Sequence, residues 1–278
     1  MKIEVRHASH PEAVRGYDTQ TLRRHFLIET VFAAGEIRLT YSHYDRMVVG
    51  GATPLGEALA LGAPKEIGQD SFLAERELGV LNVGGAGHVV VGGTRHALSK
   101  YDCLYVGKGA GDVRFESVDA AAPAKFYLVS TPAHQAHPTV LLTRDKARHL
   151  TPGEAATANK RSIYQFIHPE VCQSCQLTMG FTMIEEGSVW NTMPAHTHDR
   201  RMEAYLYFDL DADQRVFHFM GEPQETRHML VANEQAIISP PWSIHSGAGT
   251  KNYSFIWAMG GDNKSFTDMD HIAIADLR

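Results

Sequence analysis

The chain has 278 residues, with 26 Lys and Arg against 32 Asp and Glu, a formal charge of −6. That length suits one large domain or two of roughly 140 residues. No apolar stretch approaches the ~20 residues of a membrane helix, the acidic balance argues against a nucleic-acid binder, and three cysteines make no disulfide framework.

Taken in chain order, the N-terminus MKIEVRHASHPEAVRGYD has no apolar h-region, so it does not read as a signal peptide, and cytoplasmic residence is expected. DTQTLRRHFLIET at 18–30 reads as a helix, with Asp18 or Thr19 as cap and Leu22 and Phe26 four apart on one face. Short runs rich in Val, Ile, Tyr and Phe follow at 88–91, 103–106 and 125–129, punctuated by Gly turns at 50–51, 84–87, 92–93 and 107–111. Residues 132–160, rich in Pro, Ala and Thr, read as a connection, with a second helix starting near Thr151 and Pro152. A further strand is expected at 253–257. Close-spaced strands with this punctuation predict an all-β sandwich or barrel with few short helices. Glu77–Asp112 and Glu203–Ala248 share an order of apolar run, hairpin and apolar run, which predicts a duplicated barrel. The expected domains are 1–150 and 151–278.

PAHTHDRRMEAYLYF at 194–208 carries the sharpest chemical signal. His196 and His198 are two apart, so on a strand both project into one space. A four-residue turn returns the chain to Glu203, at the head of the next strand. PPWSIH at 240–245 supplies His245. Three imidazoles and one carboxylate suit a divalent transition ion such as Zn, Mn, Fe or Ni, with room for water or substrate at higher coordination number.

These motifs resemble the cupin superfamily, whose two motifs supply H-x-H, Glu and a Pro-led His. Here Gly187 precedes His196 by more than is usual, Trp242 stands where a Gly is usual, and the trailing Asn is absent. In the first half Glu77 aligns with the cupin glutamate, but no H-x-H precedes it and Lys108-Gly109-Ala110 replaces the second motif. That half is expected to be a barrel without metal ligands. The strings ELGVLNVGGAG (77–87), LYVGKGA (104–110), WNTMPAHTH (190–198), RRMEAYLYF (200–208), GEPQETRH (221–228), SPPWSIHSGAGT (239–250) and MDHIAIADLR (269–278) are together similar to the 4-deoxy-L-threo-5-hexosulose-uronate ketol-isomerases. That resemblance runs over nearly the whole chain. It implies two tandem cupin-type jelly-roll barrels, one zinc per chain on His196, His198, Glu203 and His245, cytoplasmic action and a homohexamer.

The implied reaction turns 5-dehydro-4-deoxy-D-glucuronate into 3-deoxy-D-glycero-2,5-hexodiulosonate, an aldose–ketose isomerisation through an enediol. It needs a Lewis acid for the carbonyl oxygen and a proton-transfer group, and no redox cofactor. If Glu203 points inward, Tyr205 and Tyr207 share its face and are the catalytic candidates. A substrate carboxylate calls for a guanidinium. Arg161, Arg200 and Arg201 are candidates, and His228 is a candidate for the pocket mouth. Tyr253, Phe255, Trp257 and Met259 read first as core and could wall the site. Cys172 and Cys175 read as packing residues, and His43, His134 and His137 as structural or surface groups. The same ligand set would also serve an iron-dependent cupin dioxygenase or a non-catalytic sugar-binding cupin.

Overall fold

A computed structural model of the chain describes residues 1–265 and 267–278. It divides into two units: Met1–Arg6, Thr30–Arg148 and Phe166–Met179 form the first, and His7–Glu29, His149–Gln165 and Gly180–Arg278 the second. Two segments, 7–29 and 166–179, thus belong to the unit opposite to the one that a division near 150 assigns them.

Each unit pairs a seven-stranded with a four-stranded sheet. In the first, the large sheet runs Lys2–Arg6, Ile37–Ser42, Val48–Ala52, Phe126–Pro132, Arg76–Asn82, Cys103–Val106, Val140–Leu142, and the small one Leu59–Ala60, Val113–Ser117, Gly87–Val91, Thr94–Leu98. In the second, the large sheet runs Arg148–Leu150, Arg161–Ile167, Thr178–Ile184, Ser254–Gly261, Arg201–Phe208, Gln235–Ser239, Leu27–Ile28, and the small one Trp190–Asn191, Ser246–Gly249, Val216–Glu222, Glu225–Val231. Apart from the last edge strand, Val140–Leu142 in one and Leu27–Ile28 in the other, the succession along the chain is the same in both, including the hairpin in the small sheet. The fold is therefore all-β, two tandem cupin-type barrels, as the repeat predicts.

The expected strands form at their positions: 88–91 lies inside Gly87–Val91, 103–106 is Cys103–Val106, and 125–129 and 253–257 overlap Phe126–Pro132 and Ser254–Gly261. The predicted helix forms but is shorter, Thr19–Phe26. Asp18 caps it by accepting from the Thr21 N–H at 2.7 Å, and Leu22 and Phe26 are its buried face. It stops because Leu27 and Ile28 pair with Ile237 and Ala236 as an edge strand, so tertiary pairing overrides the local signal. The helix expected at Pro152 does not form. Gly153 and Ala158 both adopt positive φ there, and only the 3-10 turn Ala155–Thr157 fits between them. The connection at 132–160 is also partly strand, with Val140–Leu142 paired to Cys103–Tyr105.

The two interiors are filled differently. The first is built around an apolar cluster that includes Leu78, Val80, Val89, Leu104, Phe115, Phe126 and Leu128. This corrects the alignment of Glu77 with the ligand glutamate. Leu78 and Val80 face the core, so Glu77, one residue off that register, points to the other side of the sheet. There it accepts backbone N–H bonds from Cys175 at 2.7 Å, Gln176 at 2.7 Å and Leu177 at 2.8 Å. Tyr105 and Thr131 donate hydroxyls to it at 2.7 and 3.0 Å. Glu77 anchors a loop. Among the described residues Cys172 and Cys175 form no disulfide and are buried, and the contribution of Cys175 to this anchor is its main chain.

Candidate metal centre

The second interior is lined by polar groups. His196 sits on the two-residue strand His196–Thr197, which pairs with Asp270–His271 near the chain end, His196 opposite His271. His198 follows in the turn, and Glu203 lies on Arg201–Phe208, between Ser254–Gly261 and Gln235–Ser239. His245 leads into Ser246–Gly249. These four side chains are buried and each offers one ligand atom, all within 4.8 Å of one another. His198 Nε2 and His245 Nε2 lie 3.0 and 3.1 Å from Glu203 Oε2, and His245 Nε2 lies 2.9 Å from His196 Nε2.

That spacing fits one cation. Two donors ~2.1 Å from a common ion and at right angles to each other stand ~3 Å apart. The outer nitrogens are oriented as metal-bound imidazoles require. His198 Nδ1 donates to the Arg201 carbonyl at 2.8 Å, and His245 Nδ1 faces Ser239 Oγ at 3.4 Å. Burial, then the neighbouring His245, pushes His196 down to about 2, which leaves it a neutral imidazole with a lone pair to give. Burial works against ionisation of Glu203, yet its electrostatic interaction with His245 and the hydrogen bonds from His198 and His245 outweigh it. The carboxyl is held well below its usual range. The four side chains form a group that could hold a metal ion.

Beside it opens a cavity of about 250 Å³. His196 and Glu203 form one part of its wall, and Phe255, Trp257 and Met259 form an apolar part. Three of the four residues read first as core thus line the cavity, while Tyr253 stays in the core with its hydroxyl on the Val189 carbonyl at 3.1 Å. Tyr205 lines the cavity and Tyr207 does not. Tyr207 lies deeper, its hydroxyl 2.8 Å from His218 Nδ1. Burial, then the charge of Glu203, pushes Tyr205 well above the ordinary phenol range, so it keeps its hydroxyl hydrogen. Tyr207 is raised in the same way, by burial and then by Tyr253.

Of the four substrate-binding candidates, only Arg161 reaches the cavity. Arg200 is half-exposed and pairs with Asp268 at 2.6 Å and Asp270 at 3.1 Å. Arg201 is fully buried and gives Nη2 to the Asp268 carbonyl at 2.9 Å. His228 is exposed on the outer hairpin, its ring 6.0 Å from that of Phe217. Sequence reasoning missed Thr182, Thr192, Met269 and His271, which also line the cavity. The tail carries no periodicity that points inward. His271 is delivered by pairing with a two-residue strand far back in the chain.

Residues 26–274 match the model of the KduI/IolB family. The chain belongs to that family. Among its relatives are the 4-deoxy-L-threo-5-hexosulose-uronate ketol-isomerase 2 of Enterococcus faecalis, 52% identical over 99% of this chain and all of the relative, and the 4-deoxy-L-threo-5-hexosulose-uronate ketol-isomerase of Halalkalibacterium halodurans, 54% identical over the same shares. The family fold is also seen in an IolB-like protein from Salmonella typhimurium LT2, with a TM-score of 0.70 at 15% identity over 89% of this chain and 96% of that one.

Proposed function

We propose that this family member is an aldose–ketose isomerase acting on 5-dehydro-4-deoxy-D-glucuronate. The observation that carries the reading is the buried three-histidine, one-glutamate cluster beside a cavity of about 250 Å³. Full-length relatives that carry the ketol-isomerase name support it.

His196, His198, Glu203 and His245 would hold one divalent ion, with zinc as the expected metal. Such an ion supplies Lewis-acid stabilisation where a carbonyl oxygen gains negative charge. The rest falls to the chain's own side chains. A proton leaves the hydroxyl-bearing carbon, an enediol forms, and a proton returns to the former aldehyde carbon. His271, an imidazole that lines the cavity outside the proposed ligand set, is the proposed carrier of that proton. Tyr205 remains a phenol and gives its hydroxyl hydrogen to a substrate oxygen. Phe255, Trp257 and Met259 keep water from the enediol. Cytoplasmic action and a homohexamer belong to the same reading, and light scattering tests the assembly.

The experiment is incubation of metal-replete protein with the deoxy-keto-uronate produced by a pectate lyase. Ketose should accumulate without oxygen consumption. No conversion, or conversion that requires O₂, overturns the isomerase reading. His196→Ala and His245→Ala should each lose metal and turnover together, read by elemental analysis and product assay. Full metal occupancy in both would displace the site.

A further inference from the structure

The cavity beside the cluster has a polarity that the metal does not explain. Its wall includes Thr182 and Thr192, Phe255 and Trp257, and one arginine, Arg161. Arg161 is half-buried at the start of the strand Arg161–Ile167. Its Nη1 donates to the Asn159 carbonyl at 2.8 Å, which orients the group. Among the described residues no carboxylate pairs with it.

A guanidinium carries five donors in a planar fork and stays charged at any pH a protein tolerates. One donor is used by Asn159, so most of the fork is open. A cation partly withdrawn from water, with no counter-charge built beside it, is a cost that an arriving anion removes. The neighbouring arginines cannot take this role as they stand: Arg200 is bound to Asp268 and Asp270 and Arg201 is turned to the Asp268 carbonyl, and neither lines the cavity. Glu203, the carboxylate on the same wall, belongs to the metal cluster.

We infer that Arg161 is the carboxylate anchor of this cavity, taking the α-keto-acid end of an open-chain uronate so that the aldehyde end meets the metal cluster. This rests on the isomerase reading and adds to it a reason for substrate choice. A planar carboxylate accepts two parallel N–H bonds from a guanidinium, which fixes direction as well as position. The cavity then selects uronates over neutral deoxyhexoses of the same length, and it selects which end of the molecule reacts. Arg161 acts on binding and orientation; it transfers no proton.

The test uses the full-length, metal-loaded protein and two variants, Arg161→Met and Arg161→Lys. In Arg161→Met the KM for the deoxy-keto-uronate should rise on the order of 30-fold, the loss of a charge-assisted bidentate contact, with a smaller fall in kcat. Metal stoichiometry should stay unchanged. Arg161→Lys keeps the charge without the fork and should fall between wild type and Arg161→Met. Binding is read separately, with pyruvate as a probe of the α-keto-acid group and Trp257 in the cavity wall as the fluorophore; both variants should weaken it. Wild-type KM and wild-type pyruvate affinity in Arg161→Lys or in Arg161→Met overturn the inference. Absence of turnover in the wild type overturns the isomerase reading instead, and pyruvate binding still decides the role of Arg161.

Discussion

Two residues of one type show how far local pattern reaches. Tyr205 and Tyr207 share the face of Glu203 by strand alternation, and that much the sequence shows. Only the fold separates them: Tyr205 opens on the cavity, while Tyr207 is closed in against His218 and Tyr253. His271 is the opposite case, a site residue with no signal in its own neighbourhood. If it carries the proton, His271→Asn should slow turnover by ~10²–10⁴-fold, the usual weight of general acid–base catalysis. Exchange of the transferred hydrogen with solvent deuterium should slow with it, while metal content is retained. Normal exchange in that variant would assign the proton to another group.

At the scale of elements, the most informative pair is the strand Arg76–Asn82 and the strand Arg201–Phe208. They hold equivalent places in the two large sheets and both carry a glutamate near the start. A shift of one residue sends Glu203 into its barrel and Glu77 out of the other. In the second unit the carboxylate meets imidazoles. In the first it meets three successive backbone N–H groups, a small anion-binding nest. Glu77→Ala should therefore cost on the order of 4 kcal/mol, since it strands several buried donors at about 1–3 kcal/mol each. Chemical denaturation measures this, and a change under 1 kcal/mol would show the anchor to be dispensable. The helix Thr19–Phe26 makes the complementary point. Its start was legible because a cap is a local bond, and its end was not, because Leu27 and Ile28 answer to a strand more than 200 residues away in the chain.

For the molecule as a whole, one succession of strands, edge strand apart, is used twice, once around an apolar cluster and once around three histidines and a glutamate. The three tryptophans, Trp190, Trp242 and Trp257, all fall in the second unit, so their fluorescence reports on that unit. A metal bound by the folded barrel alone stabilises it by mass action. Added zinc should raise the midpoint of the tryptophan-reported thermal transition by several degrees, and a chelator should reverse the rise. A midpoint indifferent to both would argue against a metal held in this barrel. The sequence by itself determined the all-β class and the repeat, and it picked out the four residues that the fold brings together. These are written in strand alternation, turn residues and a fixed H-x-H-x4-E spacing, all of which act over a few residues. Which glutamate faces inward, which arginine reaches the cavity and which tail residue closes it were decided only by tertiary structure. Those choices depend on sheet register and on pairing between distant strands, where a slip of one residue exchanges core for surface.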